Sequence, residues 1–154
     1  METFHIRIRG YEAAHTDAGV ALDPALLRKE SFLVDYGYSQ TVLLMRARRP
    51  PTAIIAGGID MLPGILRALR ERGLKVPYDV SLVAASDSDL AQLSEPPISV
   101  ERWDYARMGK VAAKLALDAI AAAQTKNRAA KPKRVVVPAK FLPRASCAAP
   151  RAWH

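Results

Sequence analysis

The sequence predicts an α/β fold with a doubly wound parallel sheet, because short apolar runs alternate with longer amphipathic ones. The runs Thr52–Ala56 and Val80–Ala84 are apolar and partly β-branched, which is typical of strands covered on both faces. Between them, Asp60–Arg72 repeats apolar residues every three or four positions, as one face of a helix does. A strand, a helix and a strand in this order favour parallel pairing through a right-handed crossover.

The predicted helix Asp60–Arg72 has start and stop signals of its own. Asp60 can cap the first turn, and Pro63 is tolerated there because the early amide groups of a helix lack partners. Gly73 supplies the left-handed residue that ends the helix, and Pro77 prevents a restart. We therefore expect the helix to end sharply before the second core strand.

Three further elements are predicted ahead of the first core strand. Arg7–Ala18 favours a helix that Gly19 ends, since glycine readily adopts the left-handed backbone of a helix stop. Ser31–Val34 suits a short strand because it is apolar and partly β-branched. A second helix is predicted over Asp35–Arg46, where apolar residues again share one face.

Short strands are also predicted beyond the second core strand. Ile98–Val100 follows two prolines and indicates a brief strand. Arg134–Val137 contains three consecutive valines and predicts a second one. Pro138 and Pro143 bracket a third short strand.

The longest predicted helix covers residues 104–124. Asp104 can cap it by accepting a hydrogen bond from an amide of the first turn. Its apolar residues recur at helical spacing on one face, namely Met108, Val111, Ala112, Leu115 and Ala119.

Length and composition indicate one globular domain. The chain has 154 residues, half of them hydrophobic, and its single cysteine allows no internal disulfide, which favours a cytoplasmic protein. No apolar run approaches the roughly 20 residues that span a bilayer. Of the 23 basic residues, eight lie in residues 125–154, where no acid occurs, so the rest holds fifteen basic and fifteen acidic residues. A solvated basic loop is the favoured interpretation, and a salt-sensitive phosphate contact is the alternative.

Ligands of doubly wound sheets bind beyond the carboxyl ends of the strands, which selects three places: Gly57–Gly58, Ala85–Asp87 and Glu101–Trp103. The two glycines let an anion or hydroxyl oxygens approach the backbone, or they only make a tight turn. Ser86 and Asp87 can bind neighbouring hydroxyls of a polyol, or a residue of this group caps a short helix toward Leu93.

Arg7 and Phe32 are the other candidate ligand residues. The guanidinium of Arg7 suits a carboxylate, a phosphate or paired hydroxyls, although an exposed arginine on a helix is the simpler interpretation. The ring of Phe32 can cover the apolar side of a sugar, although aromatic residues usually belong to a core.

Nothing in the sequence predicts catalysis, a metal site or a cofactor. The three histidines are scattered, and no serine lies in a Gly-x-Ser-x-Gly turn. Cys147 has no histidine near it in sequence. We therefore predict a binding protein and not an enzyme, with no cofactor and no metal.

The chain resembles the effector domain of the lactose/galactose-repressor (LacI/GalR) family of transcription regulators. The matching segments follow one order along the chain: Arg7–Tyr11, Pro51–Ala56, Gly64–Val83, Pro96–Val100 and Val137–Ser146. The resemblance implies a periplasmic-binding-protein-like fold of type I, with a small-molecule site between two subdomains. It also implies a dimer in which ligand closure changes how helix-turn-helix heads meet DNA.

Position by position, the resemblance implies a set of ligand-binding residues. Arg7 matches an effector-contacting arginine, and Phe32 matches an aromatic residue near the pocket. Gly58 stands where the family often has asparagine, and the next position has lost the family's aspartate, for which Asp60 can compensate. Ser86 and Asp87 fall on paired acids. The predicted set is Arg7, Phe32, Gly58, Asp60, Ser86 and Asp87.

The resemblance covers an incomplete, carboxyl-terminal subdomain over residues 1–154, without a DNA-binding domain. In the family, the helix matching 104–124 packs on the first subdomain, so here we expect its face Met108–Leu115 to mediate self-association. We predict a cytoplasmic homo-oligomer that binds a sugar-like effector, touches no membrane, and meets DNA only through a helix-turn-helix outside this chain. The alternatives are a binding protein of the same fold outside transcription, and a non-binding remnant that associates with relatives.

Overall fold

The computed structural model describes residues 2–124 and 133–150. Short 3-10 helices at Pro24–Leu26 and Ile59–Met61 accompany five α-helices and four β-strands in this described part. In chain order these elements are α1 (Glu2–Asp17), α2 (Val34–Leu44), β1 (Ala53–Ala56), α3 (Leu62–Glu71), β2 (Ser81–Ala84), α4 (Asp89–Leu93), β3 (Ser99–Arg102), α5 (Tyr105–Gln124) and β4 (Lys140–Leu142).

The four strands form one sheet in the order β1-β2-β3-β4. β1 and β2 are parallel, with Ile54 opposite Leu82, and β2 and β3 are parallel as well. β4 runs antiparallel to β3, with Phe141 opposite Glu101. The α/β class and the parallel pairing of the two core strands are confirmed, and the sheet gains one antiparallel edge strand within residues 139–142.

The core lies on one face of this sheet. Half of the ten residues of α3 are buried, including Leu62, Ile65 and Leu69. They join Leu82 and Val100 of the strands in a single hydrophobic cluster. Burial of this apolar surface is the main source of stability for the fold.

The opposite face is less well covered than the sequence suggests. Residues of β1 alternate between exposed and buried, and Ile55 is 61% exposed. The expectation that the core strands are covered on both faces is therefore wrong for β1. The physical reason is that successive side chains of a strand point to opposite faces of the sheet, and no described element buries the face that carries Ala53 and Ile55.

Two glycines allow α2 to approach the start of α3. A Cβ atom built on Gly37 would lie 2.6 Å from the carbonyl oxygen of Met61. A Cβ atom on Gly64 would overlap the carbonyl oxygen of Val34. The helices can pack this closely only because neither position carries a side chain.

The ends of α3 agree in part with the predicted signals. The cap at Asp60 is wrong, because residues 59–61 form a 3-10 turn and no side chain caps the helix. Gly73 does end it with φ of +67°, and the amide of Leu74 donates to Leu69 O at 3.0 Å. At the end of α1, Gly19 has φ of +66° as predicted.

Two predicted strands do not form. Residues 31–33 are irregular, and α2 already begins at Val34. Residues 134–137 are irregular, although three of them are valines. In both cases β-branched residues alone do not produce a strand, because a strand also needs a neighbouring strand with which its backbone can form hydrogen bonds.

The long helix α5 begins and ends close to the predicted positions. Asp104 Oδ1 accepts a hydrogen bond from the amide of Arg107 at 2.9 Å, so the predicted cap is confirmed. No residue within the helix bounds 105–124 is buried. Val111 and Leu115 are half-buried, and Leu117 and Ile120 are exposed.

Candidate functional site

The carboxyl ends of β1 and β2 bring two of the predicted places side by side. The amide of Ala85 donates to Ala56 O at 2.9 Å, directly before Gly57 and Ser86. Since β3 is parallel to β2, its carboxyl end lies at this edge too. The parallel register therefore assembles the candidate site from segments distant in sequence.

Arg7 lies on the half-buried face of α1 and contacts this edge. Its Nη1 donates a hydrogen bond to Gly57 O, and its guanidinium lies 5.8 Å from the ring centroid of Phe32. The ring and the carbonyl together hold the cation in place. The structure thus joins Arg7, Phe32 and the glycine turn, which lie far apart in the sequence.

Phe32 also explains why a glycine stands at position 58. A Cβ atom on Gly58 would lie 2.8 Å from Phe32 Cδ1 and 2.9 Å from Phe32 Cβ. Asparagine at this position would therefore displace the ring. The aromatic side chain occupies the space that a polar side chain would need.

Ser86 and Asp87 make contacts inside the protein. Ser86 is buried, and its hydroxyl lies 3.1 Å from the hydroxyl of Tyr105 at the start of α5. Both carboxylate oxygens of Asp87 accept hydrogen bonds from Arg144 Nη2, at 2.8 and 3.0 Å. The neighbouring Ser88 caps α4 by accepting from the amide of Ala91 at 3.2 Å, as one of the alternatives predicted.

The ion pair between Asp87 and Arg144 is largely shielded from solvent. The two side chains are 17% and 16% exposed. Arg144 Nη1 also donates to Ile98 O at 2.9 Å. The pair therefore ties the segment after β4 to the loop after β2, and Asp87 can contact a ligand only by sharing its oxygens.

Asp60 stands apart from these groups. Its side chain is exposed on the 3-10 turn, and it caps no helix among the described residues. Sequence reasoning missed Tyr105 and Arg144 as site residues. The signal available for Tyr105 is its place three residues after the end of β3, near the carboxyl edge of the sheet where ligands bind.

An apolar cavity, which we call the edge slot, lies beside β1 and ends near Arg7. Its volume is about 410 Å³, within the range of ligand cavities. Contributing residues include Ile8 and Tyr11 of α1, Leu27, Leu44 of α2, and Ile54 and Ile55 of β1.

The described part of the chain offers neither a metal site nor a membrane-spanning helix. Residues 2–124 and 133–150 contain no group of three histidine, cysteine or acidic side chains that could hold a metal ion. No helix there is long and apolar enough to cross a membrane.

Comparison with known proteins identifies the family. Residues 2–147 match the periplasmic binding protein-like domain family. The HTH-type transcriptional repressor CytR of Escherichia coli strain K12 is 30% identical over 118 residues, which are 77% of this chain and 35% of that protein.

Solved structures agree with this match. A LacI transcriptional regulator from Bacillus cereus subsp. cytotoxis is 30% identical with a TM-score of 0.80, over 92% of this chain and 49% of that one. The transcriptional regulator CelR in complex with cellobiose is 32% identical with a TM-score of 0.78, over 91% of this chain and 41% of that one. The chain thus spans about half or less of these relatives. It belongs to the LacI family of transcription regulators and carries part of their periplasmic-binding-protein-like effector domain.

Proposed function

We propose that this chain forms one wall of a small-molecule effector site in a LacI-type regulator, and that it catalyses no reaction. The observation that carries the proposal is the arrangement of Arg7 between Gly57 O and the ring of Phe32, at the carboxyl edge of the parallel strands. This is the edge where ligands of open α/β sheets bind. The solved complex of CelR with cellobiose supports a sugar or related polar metabolite as the ligand class.

The proposed contacts divide by chemistry. Arg7 commits one guanidinium nitrogen to Gly57 O and retains further donors for hydroxyl or carboxylate oxygens of a ligand. Phe32 offers an apolar face to a ring. Gly58 is buried under Phe32, and it serves the site by letting this ring pack closely on the turn. The exposed carboxylate of Asp60 is free to accept from ligand hydroxyls.

The second strand end contributes a smaller set. Ser86 presents a hydroxyl that already lies beside Tyr105 OH, so the two can share a ligand hydroxyl. Asp87 stays a predicted ligand residue, with its carboxylate held in position by Arg144. This fixed orientation lowers the entropy cost of ordering the site on binding.

We further propose that the protein self-associates in the cytoplasm through α5. The face from Met108 to Leu115 has no described partner that buries it, and Met108 is 36% exposed. An apolar helical face of this kind favours association with another chain. DNA contact then depends on a helix-turn-helix that residues 1–154 do not supply, and no cofactor is required.

Ligand binding can be tested with the purified 154-residue chain. Thermal unfolding is measured with a panel of monosaccharides, disaccharides and nucleosides, followed by calorimetric titration of any compound that raises the Tm. Arg7→Ala is expected to weaken binding at least tenfold, because it removes the charged donor at the strand edge.

The matched control is Arg9→Ala, since Arg9 is an exposed arginine of the same helix. This variant is expected to bind like the parent chain. Equal binding by Arg7→Ala, or the absence of binding by every compound, contradicts the proposed site. In the second case a non-binding remnant becomes the better interpretation.

A further inference from the structure

We propose that the ligand of this site is a hydroxylated acid, such as a sugar acid, and that Arg7 binds its carboxylate. The inference rests on the proposed function, because it names the ligand class of the same site. It concerns the wall that the described residues form at the carboxyl ends of β1 and β2.

The guanidinium of Arg7 keeps a planar pair of donors for a ligand. An arginine carries five N–H groups on three nitrogens. Nη1 donates to Gly57 O, and Cζ lies 5.8 Å from the ring centroid of Phe32. The bond to Gly57 leaves the pair formed by Nε and Nη2, whose parallel N–H groups match the two oxygens of a carboxylate. Gly57 and Phe32 thus orient the arginine before a ligand binds.

No carboxylate of the described residues neutralises Arg7. The ion pairs within residues 2–124 and 133–150 are Arg67–Glu71, Lys133–Asp118 and Arg144–Asp87. Arg7 is half-buried, and its partners in the structure are a carbonyl oxygen and an aromatic ring, which carry only partial charges. An anion stabilises such a cation more than a neutral hydroxyl does, because hydrogen bonds between charged groups are the stronger ones.

The end of β2 does not repel an anion bound at Arg7. Both carboxylate oxygens of Asp87 accept hydrogen bonds from Arg144, so its negative charge is offset by a cation of its own. Ser86 is neutral, and its hydroxyl can donate as well as accept. Residues 85–87 therefore offer a hydroxyl and a neutralised ion pair to the ligand.

Arg7 and Ser86 lie at neighbouring strand ends. The amide of Ala85 donates to Ala56 O at 2.9 Å, so Gly57 and Ser86 are the next residues of two adjacent strands. Strands that form hydrogen bonds with each other lie about 4.8 Å apart. Arg7 is bonded to Gly57 O. A ligand of the size of a monosaccharide can therefore place its carboxylate on Arg7 and a hydroxyl on Ser86.

A carboxylate matches these groups better than a neutral sugar or a phosphate does. The hydroxyls of a neutral sugar need acceptors for their protons, and among the predicted ligand residues only Asp60 offers a carboxylate outside an ion pair. A phosphate ester carries about two negative charges at pH 7, of which one guanidinium offsets one. A polyol with one carboxylate satisfies Arg7 and keeps hydroxyls for Ser86 and Asp60.

Matched ligands test the carboxylate. Galactose, galacturonate and galactose 6-phosphate differ only at carbon 6, and the corresponding glucose and mannose compounds make two further sets. Each compound is titrated calorimetrically into the purified 154-residue chain. In at least one set, the acid is expected to bind at least about tenfold more tightly than the neutral sugar and more tightly than the phosphate ester.

The salt dependence of binding gives an independent measure of the same contact. The affinity for the acid is expected to fall as sodium chloride is raised from about 0.05 M to about 0.5 M, because salt screens the attraction to Arg7. The affinity for the neutral sugar of the same set is expected to stay unchanged. Equal salt dependence of the two ligands contradicts a charged contact.

Substitutions at Arg7 and Ser86 locate the contact. Arg7→Gln keeps a hydrogen-bond donor and removes the charge, so it should abolish the preference for the acid over the neutral sugar. Ser86→Asp places a negative charge near the ligand and should weaken binding of the acid at least about tenfold. Ser86→Asn has nearly the same shape without the charge and should keep the preference. Where Ser86→Asp lowers the Tm too far for titration, Arg7→Gln and the salt dependence decide.

The matched control for the added charge is Ser88→Asp. Ser88 caps α4, and aspartate caps a helix about as well as serine does. The amide groups of this first helical turn also offset the new charge. The preference for the acid should therefore change less than about twofold.

The possible results separate this inference from the proposed function. A neutral sugar that binds as tightly as its acid, or a phosphate ester that binds more tightly, overturns the carboxylate and leaves the proposed function intact. A preference for the acid that survives Arg7→Gln overturns the role of Arg7. The absence of binding by every compound contradicts the proposed function itself and this inference with it.

Discussion

The helices α3 and α5 have the same kind of apolar stripe and opposite surroundings. Half of the residues of α3 are buried against the sheet, and none of the twenty residues of α5 is buried. The apolar pattern of a helix therefore shows which face can be buried. Whether that face is buried depends on another element packing against it. Predictions on the two helices should differ accordingly.

The largest expected effect is at the contact between α2 and α3. Gly64→Val should destabilise the fold by more than about 3 kcal/mol, since the new side chain overlaps the carbonyl oxygen of Val34 on the packed side of α3. Urea unfolding monitored by circular dichroism measures this loss.

The matched variant on the other helix is Gly109→Ala. Nothing lies within 4 Å of a Cβ atom built there. Alanine should therefore stabilise α5 by about 0.5–1 kcal/mol through its higher helix propensity. A comparable loss of stability in both variants would contradict the contrast between the two helices.

An intermediate effect is expected at the ion pair that joins the tail to the sheet. Arg144→Ala should cost about 2 kcal/mol, because it leaves the carboxylate of Asp87 shielded and without its partner. Thermal and urea unfolding measure this, and the double variant with Asp87→Asn should recover part of the loss.

The control is Arg102→Ala, which removes an exposed cation at the end of β3 and should change stability by less than about 0.5 kcal/mol. Equal losses of stability in Arg144→Ala and Arg102→Ala would mean that Arg144 contributes only through the net charge of the protein.

The smallest effect is expected on the surface between α2 and α3. The hydroxyl of Tyr38 donates to Glu71 Oε2 at 2.7 Å, and this bond, followed by the one from Arg67, holds the pKa of Glu71 below its ordinary value of 4.5. Tyr38→Phe should raise the pKa of Glu71 toward that value, which a carboxyl NMR titration measures. Because folding lowers the pKa of Glu71, its ionised carboxylate contributes to folding stability above pH 4.5. This stabilisation is lost as the pH falls through the pKa of Glu71 in the folded protein. An unchanged titration in Tyr38→Phe would assign the lowered pKa to Arg67 alone.

The elements that the sequence predicted correctly depend on local patterns. The strands around Ile54 and Leu82 follow from short β-branched runs, and the end of α3 follows from a glycine with an apolar residue behind it. The predicted strands at 31–34 and 134–137 were wrong because pairing is decided elsewhere in the chain. The predicted cap at Asp60 was wrong because the chain turns through a 3-10 helix first.

Contacts between segments that lie far apart in the sequence are harder to predict. Arg7 and Gly57 are 50 residues apart, and Arg144 and Asp87 are 57 apart. The family resemblance nominated Arg7, Gly58 and Asp87 by position. It did not predict that Asp87 forms an ion pair with Arg144. The distance between these two residues follows from the order of the strands, which brings their loops together.

The packing of Phe32 on Gly58 constrains the order in which this site can change. Gly58→Asn alone meets the aromatic ring at 2.8 Å from its first side-chain atom. Phe32→Ala would give the new side chain room, and it removes the surface against which the Arg7 guanidinium rests. An amide gained at position 58 is therefore paid for by a less tightly held arginine, so we expect the residues at 32 and 58 to change together.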